Sequence, residues 1–167
     1  MPNRIEYRGF IQTYGKPVNR LTTHVGLLPV LSTDKALRGI PVRLNALWDT
    51  GAMVTCMKPN LRDRLKLQMV RTASSTTIAG VGGMVKADFT IATIFLAPNF
   101  VLEYCRIYVL DFPCDADMII GMDIIGLGDF AVSNAGGRAS FSFAMPPFPD
   151  RIDFAAKADA ANRRNKT

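Results

Sequence analysis

The chain has 167 residues, 49% of them hydrophobic and 20% charged, with a formal net charge of +6. That balance suits one compact domain with short extensions and excludes an intrinsically disordered chain. Lysine and arginine cluster only at 62–66 and 163–166, with no interleaved aromatics to stack bases, so nucleic acid is not expected as a primary partner despite the positive charge.

In chain order, residues 1–23 mix aromatic and basic side chains without sustained periodicity and read as an N-terminal extension, either an outer strand or a loose arm. The opening Met1-Pro2-Asn3-Arg4-Ile5-Glu6 has no leader-like apolar run, and no apolar stretch approaches membrane-spanning length. No membrane partner is expected, and the expected location is the cytoplasm or release from a larger polyprotein. Residues 24–144 form the expected β-rich domain, with strand patterns at 25–31, 40–48, 53–57, 69–79, 84–97, 100–110, 117–120, 130–133 and 138–143. Short helical patterns fall at 59–65 and 123–127. Residues 145–167 open on a break at Pro146, Pro147 and Pro149, continue through a helix-prone segment at 153–161 and end in a basic tail.

Three features of the central region carry chemistry. The apolar strand Leu44-Asn45-Ala46-Leu47-Trp48 runs directly into Asp49-Thr50-Gly51-Ala52 and is followed by the apolar Met53-Val54-Thr55-Cys56-Met57. Such a strand delivers one carboxylate to a tight turn in a hydrophobic wall, where a buried acid resists ionisation unless partnered. Next, Ile78 to Ala87 form two strand-like arms around Gly80-Val81-Gly82-Gly83, a glycine-rich hairpin tip with no Gly-Lys-Ser/Thr ending to suggest a phosphate cradle. Last, Ala116 to Gly121 read as a buried strand ending at a glycine, with Met122-Asp123-Ile124-Ile125 opening a short helix.

Other catalytic chemistries find little support. Cys56, Cys105 and Cys114 are too few and too irregularly spaced for a disulfide framework or a zinc site, and neither metal nor cofactor is expected. Free thiols suit a reducing compartment. His24 is the sole histidine, which leaves no evident Ser-His or Cys-His nucleophilic pair.

In this order the three features resemble the retroviral-type (retropepsin-like) aspartic proteases, over roughly residues 25 to 143. The resemblance implies a mainly β, single-lobed acid-protease barrel with one or two short helices, active as a symmetric dimer. Asp49, Thr50 and Gly51 match the catalytic motif. Gly80 through Lys86 match the flap, including Gly80, Val81, Gly82, Gly83 and Met84 at and beside its tip, and Ile119-Ile120-Gly121 match the strand that braces the catalytic loop. With Ala52, Val54 and Ile120, the flap residues Gly80 to Met84 are the expected contacts to substrate. Trp48 stands where the family usually has a smaller aliphatic residue, Met53 where viral enzymes often carry a second acid, and Met122-Asp123 where they carry Arg-Asn or Arg-Asp.

Only one Asp-Thr-Gly is present, so the second carboxyl must come from another copy, and a C2 dimer is the simplest way to supply it. The facing acids would share a proton, a behaviour for which aspartic proteases are the standard example. One would activate a water while the other donates to the scissile carbonyl. Ala52 offers no hydroxyl to stabilise the ionised acid, which sets the expectation of a mildly acidic optimum. Apolar candidate pocket residues imply hydrophobic side chains around the cleaved bond of an extended peptide. The alternative is a catalytically silent dimerisation or peptide-binding module on the same fold.

Overall fold

The computed structural model describes residues 5–30, 39–70, 76–80 and 83–164, with backbone alone at 76, 79 and 80. Its elements run β1 (Arg8–Thr13), β2 (Leu21–Pro29), β3 (Val42–Trp48), β4 (Cys56–Met57), α1 (Pro59–Arg64), β5 (Thr76–Gly80), β6 (Gly83–Ala87) and β7 (Phe89–Ala97). They continue as β8 (Phe100–Val109), β9 (Met118–Ile120), α2 (Met122–Ile125), β10 (Asp129–Ser133), β11 (Ser140–Met145) and α3 (Phe154–Arg164).

Period-two burial explains the main strands. Leu44, Ala46 and Trp48 on β3 are buried, as are Val25 and Leu27 on β2 and Ala92, Ile94 and Leu96 on β7, while the residues between them face outward or lie at the margin. These faces close into a barrel in the order β2-β3-β9-β4-β8-β7. A barrel leaves no open edge within its own ring, which removes the pairing hazard of a free strand. The fold is thus mainly β with few short helices around a single closed barrel, in line with the β-rich domain expected from the sequence.

A second sheet, β1-β11-β10, is antiparallel throughout and packs its aromatic face on the barrel. Phe141 and Phe143 alternate with Ser140 and Ser142 along β11, so one face is aromatic and the other small and polar. Trp48 is the joint between the two sheets. Its ring stacks on Phe130 at 5.9 Å and meets Phe10, Phe141 and Phe143 at 5.2 to 5.6 Å, while its Nε1 donates to Thr23 Oγ1 at 2.9 Å. The unusual size of Trp48 is therefore filled by aromatics from β1, β10 and β11, and its one polar atom is satisfied.

Three expected segments differ in detail. The strand expected at 53–57 shortens to β4, because the preceding residues are bent by hydrogen bonds to the β9–α2 junction. The strand expected at 84–97 divides at Asp88, where the chain leaves the two-stranded β5-β6 sheet and enters the barrel beside β8. Of the strand expected at 69–79, Val70 forms a single bridge to Phe89 and β5 begins at Thr76; 71–75 lie outside the described residues. α1 starts where expected, with Pro59 in the first turn and Leu61 buried. No residue of α3 is buried.

Candidate active site

The site begins with the way β9 is threaded. β9 runs parallel to β3 (Ala46↔Met118, Leu47↔Ile119, Trp48↔Ile120) and antiparallel to β4 (Cys56↔Ile119, Met57↔Met118). The turn from β3 to β4 must therefore wrap around the end of β9, and that turn carries Asp49. The Asp49 N–H extends the β3–β9 ladder by donating to Ile120 O at 3.0 Å, and Ala52 N–H closes the turn onto Asp49 O at 3.1 Å.

The carboxylate is oriented from inside the turn, Gly51 N–H donating to Asp49 Oδ1 at 2.8 Å. A Cβ at position 51 would stand 3.1 Å from that same oxygen, so glycine lets the amide reach the acid without crowding it. Asp49 is half-buried in the single chain, and Thr50 and Gly51 are exposed beside it. The sequence suggested a buried acid in a hydrophobic wall; Asp49 is instead half-buried and lines a cavity.

Behind the turn lies a polar clamp. Thr55 is fully buried; its N–H donates to Asp123 Oδ2 at 2.9 Å, its hydroxyl donates to Asp123 Oδ1 at 2.7 Å, and the hydroxyl oxygen accepts from Gly121 N–H at 3.1 Å. Met122 N–H donates to Ala52 O at 2.8 Å. At Gly121 the backbones touch: an added Cβ would lie 2.5 to 2.9 Å from backbone atoms of Val54, so no larger residue fits. Asp123 thus ties the start of α2 to the Asp49 turn, leaving no buried side-chain polar atom unpaired among the described residues.

The turn opens on a cavity of about 340 Å³ lined by Asp49, Gly51, Ala52, Met53, Val54 and Cys56 on one side. Ile78, Leu110, Asp111, Phe112, Pro113 and Ile119 complete the wall. Burial pushes the Cys56 thiol up to about 12, with the Asp123 charge adding to the effect, so this lining group is a neutral thiol at ordinary pH. The hairpin β5–β6 pairs from Thr76↔Ala87 to Gly80↔Gly83 and places the buried Ile78 in the cavity wall. Gly83 takes φ +113°, open to glycine and strained for other residues.

Of the expected substrate contacts, Ala52 and Val54 line this cavity. Val81 and Gly82 lie outside the described residues, and Gly80 is described only in its backbone. Met84 is 71% exposed on the hairpin and Gly83 is exposed near its tip; neither is in the cavity wall. Ile120 is fully buried in the main core, and the wall position falls to Ile119, the residue of opposite parity on β9. Sequence reading missed Thr55 as an anchor, although a lone hydroxyl in an apolar run signals a buried partner. It also missed the 110–113 segment, which carries no local signal of its position.

Among the described residues no group of three or more His, Cys, Asp or Glu side chains could hold a metal, and no helix is long and apolar enough to cross a membrane. No curated protein matches the sequence. A family model described as aspartyl protease matches residues 36–124, more than half of the chain. Among solved structures, EIAV protease complexed with the inhibitor HBY-793 is 31% identical, the match covering 65% of this chain and 86% of that one at a TM-score of 0.46. A retropepsin-like aspartic protease from Rickettsia conorii matches at 9% identity, covering 84% of this chain and 97% of that one at a TM-score of 0.49. With the Asp49-Thr50-Gly51 turn inside the matched region, the chain belongs to the aspartyl protease family that this model describes.

Proposed function

We propose that the protein is an aspartic endopeptidase that acts as a homodimer, each copy contributing Asp49 to a shared pair of carboxyls. The observation that carries this reading is Asp49 itself, oriented by the Gly51 amide at the mouth of a largely apolar cavity, with one such turn per chain. Two facing acids hold one proton between them. The ionised acid takes a proton from a bound water, whose oxygen attacks the scissile carbonyl carbon while the protonated acid donates to the carbonyl oxygen; the first acid then passes its proton to the amide nitrogen as a hydroxyl of the tetrahedral species returns one to the second, and the C–N bond breaks to release amine and carboxylic acid. Exposed Thr50 lies next to Asp49, where its hydroxyl can reach across a two-fold axis and hold the two turns in register.

The β5–β6 hairpin is the flap of this reading. It belongs to neither the barrel nor the β1-β11-β10 sheet, and Ile78 at its base already walls the cavity. Val54, Ile78, Phe112 and Ile119 favour hydrophobic contact with substrate around the cleaved bond. The free thiols and the sequence features together support a cytoplasmic setting or release from a polyprotein.

The test is activity against concentration. Specific activity on a peptide library should rise with protein concentration and then saturate, and excess Asp49→Asn protein should poison the wild type through mixed dimers. Full activity from a demonstrably monomeric species, or from Asp49→Asn alone, would overturn the shared-Asp49 mechanism, and no cleavage at any concentration would return the chain to a silent peptide-binding module.

A further inference from the structure

Two carboxylates line the cavity, and only one has a role in the chemistry. Asp49 is engaged by Gly51 N–H and stands at the catalytic turn. Asp111 is exposed on the same wall and makes no hydrogen bond or ion pair with another described residue. Among the described residues of the wall, the side chains other than these two and the neutral Cys56 thiol are apolar, and none is cationic. The nearby cation Lys58 is occupied, its Nζ donating to Cys114 O and lying 5.4 Å from the centre of the Phe112 ring.

The segment bearing Asp111 is held in place. Leu110 N–H donates to Met57 O at 3.0 Å on one side of it, and Cys114 N–H closes a turn on Phe112 O at 3.0 Å on the other. Asp111 is thereby presented by a fixed backbone, so its carboxylate needs little reorganisation to meet a ligand.

A purely aliphatic side chain filling this cavity would take water from Asp111 and return no partner, and an acidic one would be repelled. A side chain with an apolar stem and a cationic end meets both surfaces, the stem along Ile78, Phe112 and Ile119 and the head at the carboxylate. We propose that Asp111 makes the cavity a subsite for arginine or lysine next to the cleaved bond; this rests on the endopeptidase reading above and narrows its substrate class. The apolar preference then describes the stem, and Asp111 selects what ends it.

The test compares wild type, Asp111→Asn, Asp111→Glu, Asp111→Lys and the Asp49→Ala control on a degenerate peptide library, with cut sites read by mass spectrometry. Matched peptides carrying arginine or norleucine at the enriched position are then assayed for kcat and KM. Arginine and lysine should be enriched beside the bond in wild type. The arginine-to-norleucine ratio of kcat/KM should fall about three- to tenfold in Asp111→Asn, the range for a partly solvated charge pair, and the change should lie in KM. Asp111→Glu should keep the preference. Asp111→Lys should move it toward glutamate, a gain that misfolding cannot imitate. No basic enrichment in wild type, or an unchanged ratio in Asp111→Asn, overturns the subsite while leaving the endopeptidase standing; no cleavage above the Asp49→Ala control overturns both.

Discussion

The Asp49 turn and the β5–β6 hairpin are held in opposite ways. Residues 49–55 are tied to β9 and α2 through Asp49 to Ile120, Met122 to Ala52 and the two bonds from Thr55 to Asp123, with Gly121 packed on the Val54 backbone. The β5–β6 hairpin pairs only with itself, and of its described side chains Ile78 and Ala87 are buried while Met84 and Val85 are 71% and 45% exposed. A two-stranded ribbon is marginal by itself. The contrast is the one that the proposed mechanism calls for: a fixed acid, because misplacement by about 1 Å can cost roughly a hundredfold in rate, and a cover that can move.

That contrast can be broken at several places. The largest effect is expected from Asp49→Asn, which is nearly isosteric and keeps an oxygen for the Gly51 amide but removes the acid-base group. Peptide hydrolysis should fall by about 10²- to 10⁴-fold with the melting temperature little changed. Cleavage assays beside calorimetry check both halves, and retained turnover would remove Asp49 from the mechanism.

Next comes the anchorage. Gly121→Ala forces a Cβ into the Val54 backbone and should cost about 1–3 kcal/mol or more, measured by denaturant unfolding. Asp123→Ala strips the buried Thr55 of the acceptor for its N–H and hydroxyl and should cost about 1–3 kcal/mol. Asp123→Asn keeps one oxygen and should cost less. If either severe variant unfolds like wild type, the clamp contributes no net stability.

The hairpin should respond differently. Gly83→Val meets no neighbouring atom but must hold φ +113°, a local cost of about 1–3 kcal/mol that the barrel does not share. Turnover should drop sharply while global unfolding stays near wild type. Unchanged kinetics would mean that the hairpin is not a lid.

The smallest effect at neutral pH concerns the thiols. Burial raises Cys56 from 9.0 to about 12 and Cys105 from 9.0 to about 11. Below pH 9 both are protonated, folded or unfolded, and their contribution to stability is fully present. As pH rises from about 9 to about 12 the unfolded chain loses these protons first, so stability should decline across that window. Urea unfolding at pH 8, 9.5 and 10.5 checks the sign; a rise with pH in that interval would contradict it.

Local chemistry made much of this protein legible without coordinates. Alternation placed Leu44, Ala46 and Trp48 on one face of β3, and the Asp-Thr-Gly turn followed from the residues ending that strand. The hairpin arms likewise follow from β-formers around glycines, and Pro59 marks the start of α1. Each of these signals is complete within about ten consecutive residues, the range over which periodicity and turn preference act. Tertiary structure decided the rest. Thr55 and Asp123 are separated by 68 positions and meet only because β9 is threaded between β3 and β4. Ile119 lines the cavity and Ile120 the core because pairing fixes the register, and a shift of one residue exchanges the two faces. Trp48 found its room in aromatics from β1, β10 and β11, and the 110–113 segment reached the cavity through its bond to β4. A sequence states which side chains need a partner; closure of the barrel determines which partner each one meets.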